Sequence, residues 1–198
     1  MNIIYALGNK LYANITNQCP CSCSFCIRNE RSGVGDADSL WLEKEPETDE
    51  IIEQISKRNL TGYDEFVFCG FGEPCMRLDI LKAVSRFVRE RSDIPIRLNT
   101  NGLSDLINGR KTACELEGLV DTVSVSLNAP DAKGYQEICR TAFGEASFDS
   151  VLNFARDCKK FVSRVIFTAV DVIGAEDIKK CAELAGRYDI DFRVRAAE

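Results

Sequence analysis

Four cysteines lie within eight residues near the start of this 198-residue chain. Three of them, Cys19, Cys23 and Cys26, have the spacing C-x3-C-x2-C, and the fourth is Cys21. Three thiolates at this spacing can hold three corners of a [4Fe–4S] cube and leave the fourth iron open. An open metal position can bind and activate a ligand, as it does in catalytic zinc sites. The cysteine loop, residues 18–27, therefore indicates an iron–sulfur enzyme.

The rest of the composition narrows the chemistry further. Histidine is absent, which excludes histidine-dependent zinc sites, Ser-His-Asp triads and acid–base catalysis by imidazole. A net charge of −6 gives no reason to expect nucleic acid binding. We also expect no membrane span and no signal peptide. Ten cysteines without an export signal predict a cytoplasmic protein that uses cysteine for metal or redox chemistry.

Short apolar runs alternate with helix-like segments, which predicts one α/β domain over residues 1–198. We predict six strands, at 10–17, 64–69, 95–100, 121–128, 164–170 and 191–195. Helical segments are predicted at 47–59, 78–91, 110–117, 131–138, 148–161 and 175–188. Six β/α units are too few for a closed eight-stranded barrel, so they form either an open doubly wound sheet or an incomplete barrel.

The alternation within the strands decides between these two folds. In strand 121–128, Val123 and Val125 lie on one face, and Ser124 and Ser126 lie on the other. Polar faces recur on other strands at Asn14, Thr16, Arg97, Asn99, Arg193 and Arg195. Parallel strands that are buried on both faces read as continuous apolar runs instead. The pattern predicts a partial (β/α)6 barrel, a curved parallel six-stranded sheet with helices outside and a polar lumen.

A small structural zinc site is the alternative interpretation of the cysteine loop. Zinc needs a fourth ligand, usually from a second cysteine pair or a histidine, and the chain has no second C-x2-C. Cys21 could supply that ligand, but a single eight-residue loop around a tetrahedral ion is cramped. The spacing therefore favours the iron–sulfur cluster.

The motif, with Phe25 before its last cysteine and a strand before the loop, resembles the radical S-adenosylmethionine superfamily. Members use a partial barrel, and their open iron chelates the amino and carboxylate groups of the methionine moiety. One electron then splits the sulfonium into methionine and a 5′-deoxyadenosyl radical. The resemblance implies a [4Fe–4S] cluster on Cys19, Cys23 and Cys26, with S-adenosylmethionine as second cofactor and Phe25 near its adenine. The set Cys21, Cys23 and Cys26 has a different spacing and is discounted.

The segment Gly70–Pro74 resembles the Gly-Gly-Glu-Pro element of the same superfamily, although Phe71 separates the two glycines. The resemblance implies that Gly72 and Glu73 receive the methionine amino group, and a carboxylate suits an ammonium ion. Without the cysteine motif, the same segment would be read as a glycine-rich turn.

Polar residues at the ends of later strands resemble further contacts of the family. Asn99, in the string Asn-Thr-Asn-Gly, together with Ser126 and Asn128, is implied to bind the ribose hydroxyls. Strand-end caps are the alternative for these residues. Arg195 shares a strand face with Arg193, and its guanidinium would suit the methionine carboxylate or an anionic substrate.

Two other features have two interpretations each. Residues 27–46 form a long loop that is either a lid over the cluster, held by Trp41 and Leu42, or a flexible spacer. Cys69 and Cys75 flank the Gly72–Glu73 turn and are either thiol donors near the cofactor or core residues.

Residues 7–17 and 192–195 resemble the compact TatD-family-associated members of the superfamily, which implies association with a TatD-type hydrolase but no substrate. The lack of a second cluster motif implies an external electron donor such as flavodoxin or ferredoxin. The predicted function is reductive cleavage of S-adenosylmethionine and hydrogen abstraction from an unidentified protein or small molecule. A non-enzymatic iron–sulfur protein for electron transfer or redox sensing is the alternative, and a zinc-stabilised binding module is the third.

Overall fold

Seven strands form one sheet in the computed structural model, which describes residues 2–196. The strands are β1 (Ile4–Leu7), β2 (Lys10–Ala13), β3 (Glu65–Phe68), β4 (Ile96–Thr100), β5 (Thr122–Ser126), β6 (Arg164–Val170) and β7 (Asp191–Arg195). They lie side by side in their chain order. Strands β2 to β7 are parallel, and β1 pairs with β2 in the antiparallel direction.

Six α-helices connect the parallel strands of the described chain. They are α1 (Thr48–Ser56), α2 (Leu78–Arg89), α3 (Ser104–Asn108), α4 (Ala132–Cys139), α5 (Ser147–Cys158) and α6 (Ala175–Arg187). Right-handed crossovers between parallel strands in sequential order all return over one face, so the helices collect outside the curved sheet. The edge strands β1 and β7 do not pair with each other, which confirms the predicted partial barrel. None of the described helices combines the length and apolar character needed to cross a bilayer.

Buried apolar side chains on the outer face join the sheet to the helices. Phe66, Leu98, Val123 and Phe167 come from four neighbouring strands and have no exposed surface. Leu81 of α2 is equally buried and belongs to the same hydrophobic core. This packing accounts for the apolar half of the alternation in the sequence.

Polar side chains occupy the opposite face, which is the predicted lumen. Arg97, Ser124 and Thr168 alternate with core residues on β4, β5 and β6, and all three are buried. The Arg97 guanidinium lies 3.1 Å from the Glu65 carboxylate, which also lies 2.7 Å from the Lys10 ammonium. A buried guanidinium needs such a partner because removal from water disfavours its charge. The polar lumen is therefore confirmed.

The sheet has one more strand than the six predicted. Residues 4–7 form β1, which turns back at Gly8 and pairs with β2. Gly8 has a φ of +56°, a conformation that glycine adopts easily in tight hairpin turns. The first predicted strand is also too long, because β2 ends at Ala13. Beyond it, the side chains of Asn14 and Asn17 donate to the Leu40 and Leu42 carbonyls of a later loop.

The helix predicted at 110–117 is wrong, whereas the other predicted helices agree with the structure to within about one turn. Helix α3 begins earlier, at Ser104, and ends at Asn108. Gly109 caps it with a φ of +65°, which suits glycine. A short 3-10 helix, Ala113–Leu116, then leads to β5. The tighter 3-10 winding has no 3.6-residue period, so it left a poor pattern in the sequence.

The segment 27–46 lies along β1 and the end of β2. Two hydrogen bonds join the Ala6 main chain to Asp36. The Ala6 N–H donates to the Asp36 side-chain carboxylate at 2.6 Å, and the Asp36 N–H donates to the Ala6 carbonyl at 3.0 Å. These bonds cover an edge strand that would otherwise be open to pairing. Leu42 is buried in the core, whereas Trp41 is 44% exposed. A cavity of about 640 Å³ is lined by Leu7 and by residues between 31 and 38 of this segment.

Leu81 on α2 and Leu106 on α3 provide a matched test of this packing. Leu81→Ala should lower the free energy of unfolding by roughly 2–5 kcal/mol, because it leaves a cavity in a fully buried site. Leu106→Ala, at a position that is 37% exposed, should change it by less than about 0.5 kcal/mol. Urea denaturation followed by circular dichroism measures both values. Equal losses in the two variants would contradict the proposed core.

Candidate functional site

Four loops meet at the carboxyl ends of the parallel strands. The cysteine loop follows β2, the segment Gly70–Pro74 follows β3, Asn101 follows β4 and Asn128 follows β5. Parallel α/β folds build their active sites at this edge, because the loops after neighbouring strands are adjacent there. The sheet therefore gathers most of the residues predicted for the site at one place.

The cysteine loop is laid against the end of α4. The Ser22 N–H donates to the Cys139 carbonyl at 3.1 Å, and the Ser24 N–H donates to the Ile138 carbonyl at 3.0 Å. These bonds hold the main chain on both sides of Cys23. The loop is thus positioned by tertiary contacts and not only by its own turns.

The three cysteines of the motif are partly buried free thiols, and Cys21 between them is buried. The Asn101 side-chain amide lies 3.6 Å from the Cys21 sulfur and 3.9 Å from the Cys19 sulfur, within reach of weak hydrogen bonds. Within residues 2–196, no three acidic or cysteine side chains converge as a site for a single metal ion. A cube does not require this convergence, because each of its three cysteines holds a different iron.

Hydrogen bonds between thiols favour the thiolate form at two cysteines of the motif. The Cys139 and Cys21 thiols lower the pKa of Cys23, and the Cys21 thiol lowers the pKa of Cys19. The same bonds raise the pKa values of Cys21 and Cys139. Burial raises the pKa of Cys26. Thiolates are the form that binds metals, so the donor set at Cys19 and Cys23 fits a cluster.

Gly72 allows the glycine-rich turn to approach the start of the cysteine loop. A side chain at this position would collide with the carbonyl oxygens of Thr16 and Gln18. At Gly70, a side chain would collide with the buried Asn14 side chain. The glycines are therefore required for backbone contact between the two loops. Phe71, which separates them, packs edge-on against Trp41 at a centroid distance of 5.1 Å.

The Glu73 carboxylate is buried and joins its own turn to the end of β4. It accepts hydrogen bonds from the Cys75 N–H at 3.0 Å, the Thr100 hydroxyl at 2.7 Å and the Asn101 N–H at 2.7 Å. Burial raises the pKa of Glu73, and these bonds oppose the rise. A carboxylate has about four acceptor positions, and the weakly donating Cys75 thiol also bonds to Glu73 and lowers its pKa. An ammonium group would therefore replace or share this weak fourth contact. The predicted contact with the methionine amino group is compatible with this geometry and stays a prediction.

Three buried amide oxygens at or just beyond the strand ends lack a hydrogen-bond partner among the described residues. They are the side-chain oxygens of Asn14, Asn99 and Asn128, of which the last two belong to residues predicted to bind ribose. Ser126, also predicted for this contact, is half-buried at the end of β5. Buried acceptors without a partner are costly, and hydroxyl groups of a ligand would satisfy them. The site therefore fits the ribose contacts that the resemblance implies, which remain predictions.

The remaining predicted residues are placed less centrally. Phe25 is half-buried in the cysteine loop. Arg195 is exposed on the edge strand β7, in register with Val170 of β6. Burial raises the pKa of Cys69, and the Asn99 amide and the charge of Arg195 are among the influences that oppose the rise. Arg195 is therefore close enough to act electrostatically on the Cys69 thiol.

The two cysteines beside the Gly72–Glu73 turn differ in environment. Cys75 is fully buried, and its sulfur lies 3.6 Å from the Thr100 hydroxyl, so it belongs to the core. Cys69 is half-buried, and the nearby Asn99 side chain opposes the rise of its pKa. Of the two, Cys69 lies nearer to the predicted ribose contact.

Two contacts of the cysteine loop could not be predicted from the sequence. Asn101 belongs to the segment Asn99–Gly102, which predicts ribose contacts. Nothing in that segment indicates the contacts of Asn101 with the sulfurs of the cysteine loop. Cys139 has no motif spacing to the other cysteines, and only the packing of α4 brings it to Cys23. Composition offered one signal, because ten cysteines are many for a chain of this length.

The sequence profile of the Radical SAM superfamily matches residues 13–187 of the chain. The chain belongs to the radical SAM superfamily. Its members are enzymes that use a [4Fe–4S] cluster and S-adenosylmethionine, so the predicted family, enzyme class and cofactors are confirmed. Family membership favours the enzyme over the electron-transfer protein and the zinc module. No curated protein sequence matches the chain significantly.

Solved structures of radical SAM enzymes share the fold. Streptococcus suis SuiB bound to its precursor peptide SuiA is 16% identical, with a TM-score of 0.68 over 98% of this chain. A radical SAM methyltransferase from Sphaerobacter thermophilus is 16% identical, with a TM-score of 0.66 over 98% of this chain. The anSMEcpe enzyme with bound AdoMet is 20% identical, with a TM-score of 0.69 over 94% of this chain. The chain spans 40%, 68% and 50% of these three proteins respectively.

Removal of single cysteines tests the ligand assignment. Cys21→Ala should retain about four irons per chain after anaerobic reconstitution, because its sulfur is not a predicted ligand. Cys19→Ala should lose the cluster, because it removes one of three ligands. Iron and sulfide analysis with electron paramagnetic resonance measures the outcome. Retention of iron by the Cys19 variant and its loss from the Cys21 variant would instead support the set Cys21, Cys23 and Cys26.

Asn99→Ala tests the unpaired amide oxygen. Loss of one hydrogen bond of about 0.5–1.5 kcal/mol should raise the Kd for S-adenosylmethionine about 2- to 13-fold. Anaerobic calorimetry on the iron-loaded protein measures this change. Asn153→Ala, on the outer helix α5, serves as the control and should bind normally. An unchanged Kd in the Asn99 variant would exclude the ribose contact.

Proposed function

We propose that the chain binds S-adenosylmethionine at a [4Fe–4S] cluster on Cys19, Cys23 and Cys26 and cleaves it reductively. When bound, the cluster supplies one electron to the sulfonium, which breaks a carbon–sulfur bond and gives methionine and a 5′-deoxyadenosyl radical. That radical takes a hydrogen atom from the substrate and becomes 5′-deoxyadenosine. The first step reduces the sulfonium, so we propose an oxidoreductase class. The placement of the cysteine loop beside the Glu73 turn supports this proposal most strongly.

In this proposal the residues of the chain bind and orient the cofactor. Glu73 receives the methionine ammonium in place of its weak contact with the Cys75 thiol, and Gly72 lets that group come close to the backbone. Asn99, Ser126 and Asn128 accept the ribose hydroxyls at the ends of β4 and β5. Preorganised acceptors of this kind hold the scissile bond near the cluster at little entropic cost.

Further cofactor contacts are proposed at the borders of the site. Phe25 packs near the adenine, and Arg195 pairs with the methionine carboxylate or with an anionic substrate. The electrostatic effect of Arg195 on Cys69 supports a position facing the lumen.

The segment 27–46 is proposed as the lid of the site. Its hydrogen bonds to β1 and to residues 14–17 favour an ordered cover over a flexible spacer. The contact between Trp41 and Phe71 links the segment to the glycine-rich turn. Under this lid the substrate would be a small molecule, whereas the peptide-bound SuiB structure supports a peptide or protein substrate.

Radical SAM proteins need an external reductant. We propose flavodoxin or ferredoxin for this role, since these 198 residues contain no second cysteine motif for a cluster. A TatD-type hydrolase is proposed as a further partner from the resemblance of residues 7–17 and 192–195. A cytoplasmic location is proposed because all ten cysteines are free thiols, which a reducing compartment maintains.

Anaerobic turnover tests the proposed reaction. Protein reconstituted with iron and sulfide should convert S-adenosylmethionine and dithionite into 5′-deoxyadenosine and methionine, detected by liquid chromatography and mass spectrometry. Cys26→Ala should form neither product above background, because one corner of the cluster has no ligand.

The products distinguish the alternatives. Full iron loading without cleavage would favour an electron-transfer or redox-sensing protein. Stoichiometric zinc in a colourless protein would favour a zinc-stabilised module, which should unfold when the metal is removed.

A further inference from the structure

Cys139 lies far from the cysteine motif in the sequence but against it in the structure. It is the last residue of α4 and is only 2% exposed. Its carbonyl accepts the Ser22 N–H, and the neighbouring Ile138 carbonyl accepts the Ser24 N–H. Cys23 lies between these two anchored residues, within reach of a hydrogen bond with the Cys139 thiol. This contact is the largest influence on the pKa of each thiol, lowering it at Cys23 and raising it at Cys139.

The direction of this bond follows from a third residue. The Asn128 side-chain nitrogen lies 3.9 Å from the Cys139 sulfur, and an amide nitrogen can only donate. The Cys139 sulfur is therefore the acceptor from Asn128, which leaves its own proton for Cys23. Because Cys139 is buried, water does not compete for that proton. The three residues form a relay in which Asn128 donates to Cys139 and Cys139 donates to Cys23.

We propose that the Cys139 thiol donates a hydrogen bond to the Cys23 sulfur of the iron-loaded protein and raises the reduction potential of the cluster. The inference rests on the proposed function, with Cys23 as a cluster ligand. Reduction adds negative charge to the cluster and its sulfurs, so a donor to one of these sulfurs stabilises the reduced state. Cys139 would then make electron transfer from the external reductant easier without touching S-adenosylmethionine.

The contact depends on main-chain bonds that do not involve the sulfur atoms. The two bonds beside Cys23 fix the cysteine loop on the end of α4 whether or not Cys23 holds iron. Residues outside a metal's ligand set commonly tune it through such bonds. Cys139 is therefore a positioning and tuning residue and not a ligand.

The reduction potential of the cluster tests this proposal. A side chain that only packs against the loop would not shift the potential in an alanine variant while leaving it unchanged in a serine variant. Wild-type, Cys139→Ala and Cys139→Ser proteins are reconstituted and titrated anaerobically, with the reduced cluster followed by electron paramagnetic resonance. We expect reduction of the alanine variant to be about tenfold less favourable, which is a potential about 59 mV lower for one electron. The serine variant keeps a hydroxyl donor and should titrate close to the wild type.

Cys158→Ala is the matched control. Cys158 is also the buried last residue of a helix, α5, but its thiol lies near Asp105 and Asp157 and not near the cysteine loop. The cluster of the Cys158→Ala variant should have the same reduction potential as that of the wild type.

Two results would overturn the inference: an alanine variant with the wild-type potential, or alanine and serine variants with the same shifted potential. If the alanine variant does not retain iron, Cys139→Val fills the site without a donor and is titrated against the serine variant. Equal potentials in that pair also overturn the inference. A wild-type protein that forms no cluster would instead contradict the proposed function, so the two failures are distinguishable.

Discussion

The buried carboxylate of Glu73 connects the loops on which the site depends. It bonds to its own turn through the Cys75 N–H and to the end of β4 through Thr100 and Asn101. Asn101 in turn reaches the sulfurs of the cysteine loop with its side chain. A buried carboxylate without these donors would carry a large desolvation cost, so the three loops are stable only as a set. The candidate site is therefore built around one buried carboxylate whose hydrogen bonds come from the protein itself.

Amides and thiols provide the polar chemistry of a chain without histidine. Asn99, Asn101 and Asn128 lie at or just beyond the ends of neighbouring strands, and each presents a side-chain amide to the same edge of the sheet. An amide both donates and accepts, so it can bond to a sulfur with its nitrogen and leave its oxygen for a hydroxyl. Asn128 shows this division, with its nitrogen near Cys139 and its oxygen unpaired among the described residues. The candidate site thereby combines amide contacts to the cysteine loop with buried amide oxygens that have no partner among the described residues.

The strand pattern of the sequence predicted the sheet well from β3 onward, because one apolar and one polar face alternate through Val123, Ser124 and Val125. It failed at the start of the chain. Strand β1 has four residues, and Tyr5 is buried among loop residues on the lumen side, so its apolar run reads as a linker and not as half of an alternating strand. The helix prediction after β4 failed for a related reason. Helix α3 has five residues and the 3-10 helix that follows has four, and both are too short to show a helical period. Local patterns predict long regular elements and lose information at short ones.

The spacing of Cys19, Cys23 and Cys26 by itself predicted the cluster chemistry and the superfamily, because the three predicted ligands lie within one loop and need no distant partner. The same holds for the polar strand faces, which the two-residue period of a strand places on one side. Only the tertiary structure decided what surrounds the loop. Cys139 and Asn101 reach the sulfurs through separate crossovers of the chain, and no local rule relates residues so far apart in sequence. Contacts of that kind depend on how the helices and strands pack, and packing is a property of the whole fold.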